Sequence, residues 1–277
     1  MGLGGVLLGK MFGLPVVFTL HSNRDRWLLE GLRHKPLRKR ILEWLLSRGD
    51  KVLVVSKYSF DKLACRKPLF CDKLMVVYNP VRMGDWMLGV RGEKVLSLGR
   101  LARHKRVGVV IEAVRILLSR GRGIFLDVVG EGEDEVSLRR LVEELRLQDR
   151  VRFWGRVDEE TKQSLMGEAG VYVLTSTEEN FSCYLIEALS FGVPVVSTPV
   201  GVAPEVVNDK TGVIVPFNDP GAVANALEYI LEHPEKFPPE ECRKMAERFS
   251  YDRVREMLER VYVEVIHRRG KCVDLLG

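Results

Sequence analysis

Cysteine is scarce and unpatterned in this 277-residue chain. Cys65, Cys71, Cys183, Cys242 and Cys272 form no Cys-x-x-Cys pair, and no second cysteine or histidine cluster completes a zinc set. That excludes a disulfide framework and fits a reducing, cytoplasmic compartment. His34, His104, His233 and His267 share no spacing that suggests a metal. Long apolar runs are also missing. The first twenty residues are apolar apart from Lys10, but there is no basic leader region and no small-residue cleavage site. Gly13-Leu14-Pro15 breaks the stretch below the ~20 residues that a membrane-spanning helix needs. Internal repeats and low-complexity tracts are absent. At 46% apolar and 29% charged, the composition is that of an ordinary folded protein and excludes general disorder.

Charge is present but unevenly placed. Residues 1–83 carry 16 Lys or Arg against 6 Asp or Glu, while the rest carries 27 against 32, so a net of +5 conceals a basic start and an acidic remainder. Most of the excess lies between Arg24 and Arg48, where basic residues interleave with Trp and Leu at helical spacing. This pattern describes an interfacial helix on anionic lipid, and equally a solvated face over a buried Leu/Trp stripe. No nucleic-acid motif accompanies it, so nucleic acid is not an expected partner.

Strands alternate with helices almost throughout. The patterns predict strands at Val16–Leu20, Lys51–Val55 and Leu74–Tyr78, then a linker over Asn79–Gly92. Further strands follow at Lys94–Leu98, Ile124–Val129, Val151–Trp154, Val171–Leu174, Val193–Ser197 and Val213–Val215, with helical patterns between them and a long one over Ser250–Arg269. Repeated βα units of this length imply an α/β fold with doubly wound parallel sheets.

The most informative segment is Thr177-Glu178-Glu179-Asn180-Phe181-Ser182-Cys183-Tyr184-Leu185-Ile186-Glu187-Ala188-Leu189. It follows a buried strand and enters a helix over Tyr184–Phe191, closed by Gly192 and Pro194. Glu179 is thereby placed in the loop off the strand's carboxyl end, and Glu187 about two turns into the helix. In open α/β sheets that edge is where ligands bind. Amides of Phe181, Ser182 and Cys183 at the helix start suit a phosphate, and carboxylates accept hydrogen bonds from sugar hydroxyls, so the arrangement suits a nucleotide-sugar. Gly99-Arg100-Leu101-Ala102-Arg103-His104-Lys105 follows another strand and puts Arg100 and Lys105 at the same edge; Arg103 and Arg106 read as solvated. Gly130-Glu131-Gly132 fails the dinucleotide fingerprint, because Glu133 and Glu135 stand where glycine is needed.

Glu179-Asn180-Phe181-Ser182-Cys183-Tyr184-Leu185-Ile186-Glu187-Ala188 resembles the Glu-x7-Glu motif of the retaining group 1 (family 4) GT-B glycosyltransferases, and Gly99 to Lys105 resembles their Gly-Arg-Leu-x-x-x-Lys. Thr198-Pro199-Val200-Gly201-Val202-Ala203-Pro204-Glu205 resembles the segment that follows, with Val202 replacing a second glycine. The resemblance covers essentially the whole chain. It implies two Rossmann-like domains: a partial acceptor-side domain over 1–83, a donor domain over 84–249, and a terminal helix over 250–277 crossing back to the first. It implies a metal-independent, cofactor-free retaining enzyme of hexosyltransferase type. Glu187 would bind ribose, Glu179 the transferred sugar, and the amides after Phe181, with those of Phe181, Ser182 and Cys183 at the helix start, the phosphate; Asn180 would be among the donor-binding residues. Arg100 and Lys105 would face the diphosphate, with Gly99, Gly130 and Gly132 beside the donor, and His21 would orient sugar or acceptor.

The first domain of that family normally begins with further βα units, which this sequence does not supply. The expectation is an internal start or a gene fragment, with a complementing N-terminal half as the alternative. Competing functions are a nucleotide-sugar epimerase of the same fold and a catalytically incomplete scaffold held at the inner membrane face by the Arg24–Arg48 region. A lipid-linked acceptor or a polysaccharide fits the transferase reading.

Overall fold

The computed structural model describes residues 2–21, 36–66, 72–84 and 92–268. The chain divides into two compact units, one formed by residues 1–80 with 251–277 and the other by residues 81–250.

In the first unit, helix α1 (Gly2–Phe12) leads to β1 (Val17–Leu20), followed by α2 (Pro36–Arg48), β2 (Lys51–Val54), α3 (Lys57–Arg66) and β3 (Leu74–Val76). The strands are parallel in the order β1-β2-β3. β2 is buried on both faces, as a parallel strand between two helical layers must be. Val52 and Val54 pack with Leu46 of α2 and Leu63 of α3. Leu53, pointing the opposite way by strand alternation, packs with Val254, Val261 and Val265 of the terminal helix α11 (Tyr251–Arg268). Residues 22–35, which hold the start of the basic Arg24–Arg48 region, lie outside the described residues. In the described part, α2 buries Leu45 and Leu46 but leaves Ile41 46% and Trp44 42% exposed, with the Arg48 guanidinium 5.1 Å from the Trp44 ring centroid. The buried stripe is therefore leucine without the tryptophan.

The second unit is a six-stranded parallel sheet ordered β6-β5-β4-β7-β8-β9, from β4 (Lys94–Leu98), β5 (Phe125–Val129), β6 (Val151–Gly155), β7 (Val171–Leu174), β8 (Val195–Ser197) and β9 (Gly212–Ile214). The chain builds outward from β4 to β6, crosses back, and builds the other way from β7, so β4 and β7 are neighbours and the winding reverses between them. The helices are α4 (Val107–Ser119), α5 (Glu135–Glu144), α6 (Glu159–Glu168), α7 (Cys183–Ser190), α8 (Ala203–Val206), α9 (Pro220–Glu232) and α10 (Pro239–Glu247). The core is continuous through β4, β5 and α4, where Val95, Leu126, Val128, Val110 and Leu117 are buried.

The fold departs from the sequence pattern in three places. α8 and α10 are not among the expected elements, since α8 spans a single turn and α10 opens on Pro239-Glu240-Glu241, whose polarity masks its buried Cys242 and Ala246. The expected linker is not free at its start. Val81 is buried and donates to the Phe249 carbonyl, and Gly84 donates to Ser190 Oγ at 3.0 Å; residues 85–91 lie outside the described residues. Helix α7 begins at Cys183, so Glu187 stands little more than one turn into it.

Candidate functional site

The site forms where the sheet reverses direction. After β7 the chain runs through Thr175 and Ser176 into the Glu179 loop, and after β4 through Gly99 into a short 3-10 helix at Arg103–Lys105. Buried Thr175 ties the two together by donating its hydroxyl to the Arg106 carbonyl at 3.0 Å, and the Thr177 amide donates to the His104 carbonyl at 2.8 Å. The backbone thus brings Lys105 to Glu179 across a wide sequence separation. Lys105 Nζ donates to Glu179 Oε1, with the side chains 22% and 11% exposed, and Ser176 Oγ donates to the same oxygen at 2.9 Å.

The second carboxylate is held in a parallel manner. Lys162 of α6 lies 2.7 Å from Glu187 Oε2 and 3.0 Å from Glu159 Oε2. Between the two carboxylates, Ser182 caps α7 with φ 77° and makes no side-chain cap bond, so its hydroxyl does not satisfy the first-turn amides of the helix. Phe181 is buried edge-on against Phe249, with centroids 5.6 Å apart, and its carbonyl accepts from the Val202 amide. Gly201 makes that approach possible: it sits at φ +56°, and a Cβ there would meet the Phe181 oxygen at 2.8 Å. Val202, at φ −85°, needs no such freedom, which is why the side chain in place of the second glycine is tolerated and fully buried.

The loops after β4 and β5 are laced by Gly99 N to Val129 O and Leu101 N to Glu131 O. A Cβ on Gly130 would meet the Gly99 oxygen at 2.0 Å, and one on Gly132 the Leu101 oxygen at 2.1 Å. These glycines thus have a packing reason of their own. Arg100 projects outward, 72% exposed, and pairs with Glu133 at 3.0 Å. Arg106 is exposed as expected, but its Nε donates to Asn218 at 2.7 Å. Beside Gly99 and Arg100 opens a cleft of about 290 Å³ that Glu131, Arg156, Lys162 and Tyr184 also line. His21 belongs to the first unit, where its Nδ1 lies 2.9 Å from Asn79 Oδ1.

The two carboxylates set the local electrostatics. Burial, reinforced by Glu187 and Glu179, raises the Cys183 thiol, which stays protonated and is no nucleophile. Burial with the same two charges drives the Tyr172 phenol far above its usual value, and its hydroxyl donates to the Leu98 carbonyl beneath the site. For Lys162, burial acts downward, but hydrogen bonds to Glu187 and Glu159 outweigh it and the pKa ends raised. Among the described residues, no group of three or more His, Cys, Asp or Glu is placed to hold a metal ion.

The fold brings Glu179 and Lys105 together as partners and adds Ser176 and Lys162, which no motif in the sequence singles out. Lys162 carries no motif; only its i,i+3 spacing from Glu159 and its place on the helix before β7 hint at an inward partner.

The chain is similar to known proteins along most of its length. The model for glycosyl transferases group 1 matches residues 88–250, and that for glycosyltransferase family 4 matches residues 1–84. The chain is 30% identical over 241 residues to the putative colanic acid biosynthesis glycosyltransferase WcaL of Escherichia coli, covering 82% of this chain and 59% of that protein. It is 29% identical over 252 residues to the D-inositol 3-phosphate glycosyltransferase of Paenarthrobacter aurescens, covering 83% of this chain and 62% of that protein. The chain therefore spans less than two thirds of the length of either relative. Among solved structures, Anabaena Alr3699/HepE in complex with UDP superposes with a TM-score of 0.82 at 19% identity, over 95% of this chain and 76% of that one. That likeness gives the fold: two Rossmann-like domains of the GT-B type.

Proposed function

Because the chain belongs to the group 1 glycosyltransferases, we propose that it moves a sugar from a nucleoside diphosphate to an acceptor, with retention at the anomeric carbon and without a metal. One observation carries the reading. At the point where the sheet reverses, two carboxylates flank the start of α7, each paired to its own lysine. In this reading Glu187 accepts hydrogen bonds from ribose, and Glu179 from the transferred sugar's hydroxyls. The amides following Phe181 hold phosphate at the positive end of α7. Lys105, with Arg100 beside it, neutralises charge that develops on the leaving diphosphate, the service a divalent ion performs elsewhere. Front-face attack needs no protein nucleophile, so the protonated Cys183 is no obstacle. UDP in the HepE structure supports a nucleotide donor of this class.

Lys105 supplies the test. The Lys105→Ala variant removes a charge whose contact strengthens only as the diphosphate leaves, so kcat falls by ~100-fold or more while donor KM changes little. Steady-state kinetics on nucleoside diphosphate release measures both, and an unchanged kcat removes Lys105 from the mechanism. Proton NMR of the product reports the anomeric configuration, and an inverted product rejects retention.

For the acceptor, the exposed apolar residues of the first unit favour an amphiphile. Leu7, Leu8, Met11 and Phe12 of α1 are each more than half exposed, and Ile41 and Trp44 of α2 nearly so. Among the described residues no helix is long and apolar enough to cross a membrane.

A further inference from the structure

The proposed reaction uses Lys105 and leaves Lys162 without a task, although Lys162 is the more buried of the two cations at 15% side-chain exposure. A lysine ammonium is seldom withdrawn from water unless it is paired. Here it is paired twice, at 2.7 Å to Glu187 and 3.0 Å to Glu159. The Tyr184 ring closes over it with its centroid 5.6 Å from Nζ. α6 holds the lysine from a fixed start, since the Asp158 carboxylate accepts from the Thr161 amide at 2.8 Å.

The consequence falls on Glu187. Its Oε2 is committed to Lys162, while no described residue hydrogen-bonds Oε1. A glutamate has three side-chain torsions to immobilise before it can receive a diol in one geometry, and the ion pair immobilises them before any ligand arrives. Resting on the donor-binding role given to Glu187 above, we infer that Lys162 is a positioning residue that orients Glu187 toward a ribose cis-diol and so makes the cleft prefer ribonucleotides to 2′-deoxyribonucleotides. The geometry is specific to this pair: Lys105 serves Glu179 from the opposite loop.

The experiment measures dissociation constants of the full chain for UDP, GDP and ADP and for their 2′-deoxy counterparts, in wild type, Lys162→Met and Lys162→Arg. A hydrogen bond to a charged group separates the two sugars by ~10-fold or more in wild type. In Lys162→Met that ratio falls to within ~2-fold as Glu187 loses its fixed geometry, and Lys162→Arg restores most of it because the guanidinium still reaches both carboxylates. A wild-type ratio retained in Lys162→Met overturns the inference even where both affinities drop together, because a merely structural lysine weakens both sugars alike. Equal binding of both sugars by wild type overturns it as well. If wild type binds none of the six nucleotides, the proposed function itself fails first. Should Lys162→Met lack a cooperative melt, Lys162→Gln is read by the same ratio.

Discussion

Ser182 holds φ at 77° at the start of α7, where a side chain is strained. The left-handed conformation costs a non-glycine residue ~1–2 kcal/mol. Ser182→Gly therefore raises stability by ~1 kcal/mol, visible as a rise of ~2–4 °C in Tm by calorimetry; an unchanged or lower Tm denies that the strain is real. At this scale, what the sequence reveals depends on adjacency. Glu179 and Glu187 belong to one short segment, and Arg100 and Lys105 to another, so each set is readable as a motif. The pairs Lys105 with Glu179, 74 residues apart, and Lys162 with Glu187, 25 apart, exist only because the winding folds distant loops together. No pattern along the chain predicts such pairs. Gly130 and Gly132 read in the sequence as neighbours of a ligand, and the folded chain also sets them against the carbonyls of Gly99 and Leu101.

Elements are held by their ends as much as by their buried faces. α9 begins at Asp219, whose carboxylate accepts from the Ala222 amide at 2.8 Å, with Pro220 in the first turn. Removing the cap by Asp219→Ala costs ~1 kcal/mol, a fall of ~2–4 °C in Tm measured by calorimetry, and no fall means that water replaces the carboxylate at no cost. The strands of both units are legible because parallel strands buried on two faces read as short apolar runs, β7 with all four residues buried being the clearest. α10 escapes notice because its apolar residues are few, and α8 because one turn gives no periodicity. Gly13 and Pro15 mark the end of α1 correctly, since Gly13 takes φ +61° directly after Phe12.

For the molecule as a whole, alternating βα units make the two-sheet architecture readable, and the glutamate motif falls where the second sheet reverses direction. The first unit yields less, because the basic Arg24–Arg48 stretch is compatible with two surfaces and part of it lies outside the described residues. Exposed Leu7, Leu8, Met11, Phe12 and Trp44, together with the net-basic stretch over residues 1–83, predict binding to vesicles containing anionic lipid at low ionic strength, released as salt shortens the reach of the charges. Co-sedimentation checks this, and no binding even at low salt rejects it. In the proposed reaction the second unit is the nucleotide-binding half, with Glu187 as its ribose acceptor. Thermal-shift titration of the chain with UDP, GDP and ADP, repeated on Glu187→Ala, tests it most directly. Saturable stabilisation by one of the three is expected, ~3 kcal/mol at a hundredfold excess over Kd, with its loss in the variant at any practical concentration. Saturable stabilisation that survives Glu187→Ala undiminished, or no stabilisation by any nucleotide in wild type, contradicts it.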